Sequence, residues 1–329
     1  MKKVINKPES VAQETIEGFM YAYKNSHKKL ENVNGITRKD LKDKVAVVIG
    51  GGSGHEPLFL GFVGEGLADG VALGNVFAAP TPNTIQEVAK AADSGKGVLF
   101  IYGNYAGDVL NFDMAVEMLE MEDVDSRTVR VSDDVASAPV ERKEDRRGIA
   151  GDVFVIKIAG AAAEKGKSLD EVFEVTQKAC DQTYSIGVAL SPGTIPDSGE
   201  PTFTLADDEM ELGMGIHGEP GMERTKIMKA DKLVDRLMDT LLKESNVREG
   251  DEVSVLVNGL GSTTLMELFI ANRRVARVLE EKGVNVYDMD VNSYCTTQEM
   301  GGFSITLLKL DDELKELHDA TANSPYYKK

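Results

Sequence analysis

Five consecutive apolar residues, Val45-Ala46-Val47-Val48-Ile49, run straight into Gly50-Gly51-Gly52-Ser53-Gly54-His55-Glu56-Pro57. No other stretch of the chain restricts the fold so sharply. An unbroken apolar run of strand length reads as a β-strand buried on both faces, which places it in a sheet covered by helices. The glycines after it predict a tight strand-to-helix turn where backbone can approach a ligand, because no Cβ stands in the way. Two familiar phosphate-binding readings fail here. A dinucleotide fingerprint needs a third glycine where His55 stands, and a P-loop needs a lysine that is absent.

The pattern recurs. Gly70–Phe77 reads as a strand, followed by a helix capped at Thr81, with Pro82 in its first turn, that runs to about Asp93. Val98–Tyr102 opens into the loop Gly103-Asn104-Tyr105-Ala106-Gly107-Asp108 and then a helical stretch through Met121. Thr128–Val131 alternates as a strand does. Upstream, Val11–Tyr23 reads as an amphipathic helix capped by Ser10. This alternation predicts a sheet that is largely parallel, and ligands of such sheets gather beyond the strand C-termini, where the Gly50 and Gly103 loops fall.

Residues 132–151 are polar, with Glu141-Arg142-Lys143-Glu144-Asp145-Arg146-Arg147 at their centre, and most of this run reads as a solvated loop. Helices are expected over 151–166 and 169–184. A second cycle then begins with a strand at Gly187–Leu190 and a loop from Ser191 to Pro201. Later strands are expected at Glu252–Val257, Val284–Asp288 and Phe303–Lys309, and helices at Lys232–Leu242, Thr264–Glu281 and Asp311–Asp319. With 329 residues, the chain suits two domains. The expectation is two α/β domains, residues 1–185 and 186–329, each a mostly parallel or mixed sheet flanked by helices.

Composition removes several function classes. Thirty-seven basic against fifty-five acidic residues give a net charge of −18, the opposite of a nucleic-acid footprint. No apolar run approaches the ~20 residues of a membrane span, and the N-terminal residues lack a signal-peptide core. Cys180 and Cys295 match no metal or redox spacing and read as reduced, buried thiols, so a cytoplasmic protein is expected.

Three residues stand where chemistry could occur. Of four histidines, His27 and His318 lie in charged helical contexts and read as surface residues. His55 follows one glycine-rich turn, and His217 lies within another, Gly213-Met214-Gly215-Ile216-His217-Gly218-Glu219-Pro220-Gly221. A glycine-bracketed histidine has backbone space around it and few side chains to pack against, which suits a ligand site as well as a turn. Asp108 closes the third glycine loop, either as a helix N-cap or as a base for a substrate hydroxyl.

Gly50–Pro57, Gly74–Thr81, Asn104–Phe112, Gly213–Gly221 and the late run Glu299–Leu308, in this order, resemble the dihydroxyacetone kinase family, specifically its substrate-binding K subunit. The resemblance runs nearly end to end. It implies that His217 adds to the ketone of a small ketose to give a hemiaminal, a reaction open to a neutral imidazole nitrogen. Such capture discriminates by chemistry, because glycerol has no carbonyl. His55 and Asp108 are implied to contact the hydroxyl that is phosphorylated, and Gly52, Ser53 and Gly54 to hydrogen-bond the substrate. Where well-known members carry a substrate-contacting lysine this chain has Gly103, so a four-carbon ketose such as erythrulose is a candidate beside dihydroxyacetone.

No Walker loop, kinase signature or magnesium-binding acidic cluster is visible. The resemblance therefore implies a stand-alone subunit with no cofactor of its own. Its expected partner is a small L-type kinase subunit holding ADP and magnesium, recharged by a phosphotransferase-system phosphoryl carrier, and the chain itself is expected to be a homodimer. A ketose sensor that pairs with a transcription factor is the alternative; keeping both His55 and Asp108 favours the enzyme. A nicotinamide-dependent dehydrogenase fails with the glycine fingerprint.

Overall fold

In the computed structural model, which describes residues 2–329, the chain forms two six-stranded sheets. The first contains β1 (His27–Lys29), β2 (Gly35–Arg38), β3 (Ala46–Ser53), β4 (Gly70–Val76), β5 (Val98–Gly103) and β6 (Ser126–Val131), in spatial order β1-β2-β4-β3-β5-β6. β4, β3, β5 and β6 are parallel, and β1 and β2 extend the β4 edge antiparallel. Alternate residues of β3 enter different cores, as a strand covered on both faces requires. Ala46 and Val48 join Ile85, Val88 and Phe112 of α2 (Pro82–Ala92) and α3 (Ala106–Glu120), whereas Val47 and Ile49 face the opposite layer. That layer is α1 (Val11–Tyr23), α4 (Asp152–Glu164) and α5 (Leu169–Asp181).

The second sheet holds β7 (Thr183–Ser191), β8 (Glu209–Leu212), β9 (Glu223–Lys226), β10 (Glu252–Gly259), β11 (Asn285–Asn292) and β12 (Gly301–Leu310), ordered β11-β10-β12-β7-β8-β9. It is mixed: only β10 and β11 are parallel. α6 (Ala230–Glu244) and α7 (Leu265–Glu281) cover one face, with Leu237, Leu268 and Val275 against Val255, Val257 and Ile305. From the other face Leu256 and Leu308 enter the same core as α4 and Val47, so one apolar cluster spans both halves. This explains why α4 is buried from Asp152 to Ala163 on every side rather than along one stripe. After β12, α8 (Asp312–Asp319) packs on α4, and Asn323 pairs with Glu65 of the first half.

Several expectations are corrected. The glycines Gly50–Gly52 are not a turn: β3 continues through Ser53 because β4 keeps pairing with it, and no α-helix follows, only a 3₁₀ turn at Leu60–Phe62. A Cβ on Gly51 would lie 2.3 Å from the Phe59 ring, so the glycine serves close approach within the sheet. Ser10 makes no side-chain cap to α1, whereas Thr81 does cap α2, its hydroxyl accepting from the Thr84 N–H at 3.3 Å. β8 and β9 were not anticipated.

His27 and His318 are buried, at 2% and 1% exposure. His27 Nε2–H donates to the Val63 carbonyl at 3.0 Å, and His318 Nε2 lies 3.0 Å from Asp288 Oδ2. Their charged sequence neighbours point elsewhere; tertiary partners decide their place. Within 132–151, Glu141, Arg142, Glu144 and Asp145 are exposed, but Asp133, Asp134 and Arg146 are buried. Asp133 accepts the N–H groups of Ile149 and Gly151, both at 2.8 Å, and Arg146 donates to the Ala138 carbonyl at 2.9 Å. Polar sequence here builds buried connections rather than a loose loop. Both cysteines are buried free thiols. Among the described residues, no helix is long and apolar enough to cross a membrane.

Candidate active site

The two halves meet at a pair of histidines. His55 lies just beyond β3, 2% exposed, and its Nδ1–H donates to the Thr296 carbonyl at 2.7 Å. That carbonyl belongs to the segment between β11 and β12, so the second half orients a ring supplied by the first. His217 lies in the connection between β8 and β9, where Gly213 and Gly218 adopt positive φ of 74° and 88° that side-chain-bearing residues rarely take. Its Nδ1 lies 2.9 Å from Glu219 Oε1, and its backbone N–H donates to Glu219 Oε2 at 2.9 Å. The free Nε2 atoms of His55 and His217 face one another at 3.0 Å.

Aromatic rings wall this pair. Phe77, itself at φ 56°, sits 5.1 Å from the His55 ring and 5.3 Å from the His217 ring, centroid to centroid. A positive φ in a bulky non-glycine residue is costly and is found where function or packing demands it. Tyr105 meets His217 edge-on at 4.7 Å, and its buried hydroxyl has no hydrogen-bond partner among the described residues.

Asp108 lies in the first turn of α3, three residues past Tyr105, which holds the N-cap position itself. The N-cap reading of Asp108 is therefore replaced: its carboxylate is free of capping duty, and Oδ1 is buried without a partner. Burial pushes the Asp108 carboxyl up to about 6, although the charge of nearby His217 draws it down. Burial and then the neighbouring His217 push the His55 ring down to about 3. Burial would raise Glu219, but the hydrogen bond and charge of His217 outweigh it and hold that carboxyl at about 2. A carboxyl raised to about 6 within reach of the His217 charge suits acid–base work.

The glycine-loop donors are largely engaged inside the protein. The Ser53 hydroxyl donates to the Gly74 carbonyl at 2.8 Å, and the Gly54 N–H donates to Glu56 Oε2 at 2.9 Å. Gly52 lets the 77–78 backbone close in, since a Cβ there would lie 2.8 Å from the Ala78 nitrogen. Gly103 does not leave an open space: a Cβ on it would lie 3.2 Å from the Tyr105 ring. Among the described residues, no three His, Cys, Asp or Glu side chains are grouped to hold a metal ion. Glu219, Thr296, Tyr105 and Phe77 were not singled out from the sequence. Glu219 and Phe77 stand in the glycine-rich motifs and were within reach, whereas the role of Thr296 rests on a backbone carbonyl that no side chain announces.

The Dak1 domain family matches residues 17–326. The chain belongs to that family. Among Dak1 relatives, the Listeria innocua protein named PTS-dependent dihydroxyacetone kinase 2, dihydroxyacetone-binding subunit DhaK is 46% identical, covering 100% of this chain and 99% of its own. The L-erythrulose kinase of Pectobacterium atrosepticum is 43% identical over 100% of this chain but only 56% of its own length. Among solved Dak1-like structures, the dihydroxyacetone kinase operon co-activator Dha-DhaQ superposes with a TM-score of 0.90 at 32% identity, covering 95% of this chain and 97% of its own.

Proposed function

We propose that this chain is the ketose-binding subunit of a phosphotransferase-system-type dihydroxyacetone kinase. It captures dihydroxyacetone, or a close relative such as erythrulose, on His217 Nε2 as a hemiaminal, and presents a hydroxyl to Asp108 and His55. The observation that carries the reading is an oriented His217 ring whose charge reaches the Asp108 carboxyl, which burial raises to about 6. Phosphoryl transfer depends mainly on positioning and charge, so tethering a small substrate and orienting its hydroxyl is the share of the work this chain performs. The phosphoryl group comes from a separate ADP-bearing subunit, recharged by a phosphotransferase-system carrier. Names of relatives support this division: several are dihydroxyacetone-binding subunits of PTS-dependent kinases.

The test is a phosphorylation assay with the ADP-bearing subunit and its donor, run in parallel on dihydroxyacetone and erythrulose. Phosphorylated ketose that requires this chain is the expected result. A second reading, a ketose-sensing co-activator, draws on the 0.90 superposition with the dihydroxyacetone kinase operon co-activator. It predicts capture without turnover, and gel-shift stimulation of a transcription factor in place of product.

A further inference from the structure

Each imidazole in the site has one nitrogen already committed. His55 Nδ1 faces the Thr296 carbonyl oxygen at 2.7 Å, an acceptor that only an N–H satisfies. His217 Nδ1 faces Glu219 Oε1 at 2.9 Å, and an ionised carboxylate likewise only accepts. Both rings therefore carry a proton on Nδ1. Were both rings neutral, each Nε2 would present a lone pair, yet these two atoms lie 3.0 Å apart. Two lone pairs at that separation repel, whereas one proton between them gives a hydrogen bond of ordinary length.

We infer that the ligand-free pair holds one shared proton between the Nε2 atoms, and that Glu219 is the positioning residue that keeps it there. Glu219 fixes the tautomer of His217 through Oε1, ties the ring to its own backbone through Oε2, and balances the added charge. Its place depends on Gly215, where a Cβ would lie 2.2 Å from Glu219 Oε2 and 2.6 Å from Arg147 Nη1. Arg147 does not compete as the counter-ion, because it pairs with Asp134 at 2.8 Å and donates to the Gly213 carbonyl at 2.9 Å. The other ionisable groups facing the pair are Asp108 on α3, Tyr105 before it, Cys295 beside Thr296, and Glu56, whose carboxylate is turned to the Gly54 N–H. Of these groups Glu219 alone hydrogen-bonds one of the two rings, through Oε1 at 2.9 Å from His217 Nδ1, which makes it the partner of the pair.

The inference rests on the proposed capture and supplies its proton. With a ketone carbonyl at the pair, His55 Nε2 takes the shared proton and frees the lone pair of His217 Nε2. That lone pair forms the N–C bond, the C=O π electrons move to oxygen, and the proton passes from His55 to that oxygen. One proton and one positive charge are present before and after. The hemiaminal carries a hydroxyl, His217 becomes an Nε2-substituted imidazolium held by Glu219, and His55 is left neutral with an open Nε2.

Long-range proton–nitrogen NMR on full-length, ¹⁵N-histidine-labelled protein without ligand tests the resting state directly. Protonated-type Nδ1 signals on both rings with one proton shared between the Nε2 atoms at neutral pH are expected; two neutral rings with lone-pair Nε2 signals overturn the inference. Glu219→Gln keeps an acceptor oxygen but removes the charge. Its shared proton should persist only at lower pH, and its dihydroxyacetone adduct should fall by roughly tenfold or more at neutral pH. An unchanged pH profile and adduct yield in that variant overturn the role of Glu219. If the variant fails to fold, the wild-type spectrum still decides. Wild-type protein that forms no adduct, or His217→Ala that keeps one, sinks the capture reading instead, and the resting-state spectrum judges the shared proton apart from it.

Discussion

The two halves build their parts of the site by different means. The first delivers His55 and Asp108 from the ends of neighbouring parallel strands, β3 and β5, the place where open parallel sheets gather ligands. The second delivers His217 from the connection of an antiparallel hairpin at the far side of its sheet. The outcome differs in access: His55 is closed off, whereas the His217 side chain is 24% exposed. A capturing atom must be reached by an incoming ketose, whereas groups that handle the hydroxyl work best away from bulk water. Under the proposed function, this contrast gives arrival to the second half and the sheltered handling of the hydroxyl by His55 to the first.

The largest effect expected is on capture. Wild-type chain mixed with dihydroxyacetone should gain one ligand mass per chain under gentle ionisation, and His217→Ala none; an undiminished adduct would move capture out of the hairpin. Asp108→Asn should form that adduct normally yet lose about 10²–10⁴-fold in phosphorylation rate with the partner subunit supplied. Near-normal turnover would remove the first half from the transfer step. Asp108 also predicts a pH limb. It must be ionised to act as a base and its carboxyl sits at about 6, so turnover should fall as pH drops through that value and hold above it. A flat profile between pH 5 and 7 contradicts this assignment. Smaller again is Gly215→Ala, expected to weaken capture by about tenfold by displacing Glu219 while leaving the Asp108 limb in place.

The smallest effect on chemistry, though not on stability, tests whether the halves are separable. Leu256 lies on the second sheet, fully buried in the cluster it shares with α4 and Val47. Leu256→Ala should cost about 2–5 kcal/mol and lower a single unfolding transition seen by probes in either half. Two resolved transitions would show that the common core does not couple them.

Much of this was legible before any coordinates. The apolar run of β3, the Thr81 cap and the glycine-rich histidine motif each express local rules: two-face burial, capping and backbone space. What escaped was set by distant partners. β8 and β9 are four residues each and their pairing surrounds a glycine-rich connection, so neither shows a periodic stretch long enough to read. His27 and His318 looked solvated because their sequence neighbours are charged, whereas the Val63 carbonyl and Asp288 that receive them come from other elements. The separation of 3.0 Å between two imidazoles 162 residues apart is visible only once the sheets are in place.

The Thr296 carbonyl has one more consequence. Because it holds the ring of His55, the reactive orientation of a residue from the N-terminal half is conditional on a segment translated some 240 residues later. A nascent or truncated chain lacking that segment would display His55 without a defined tautomer. The orientation of His55 is thus completed only once the segment between β11 and β12 has docked.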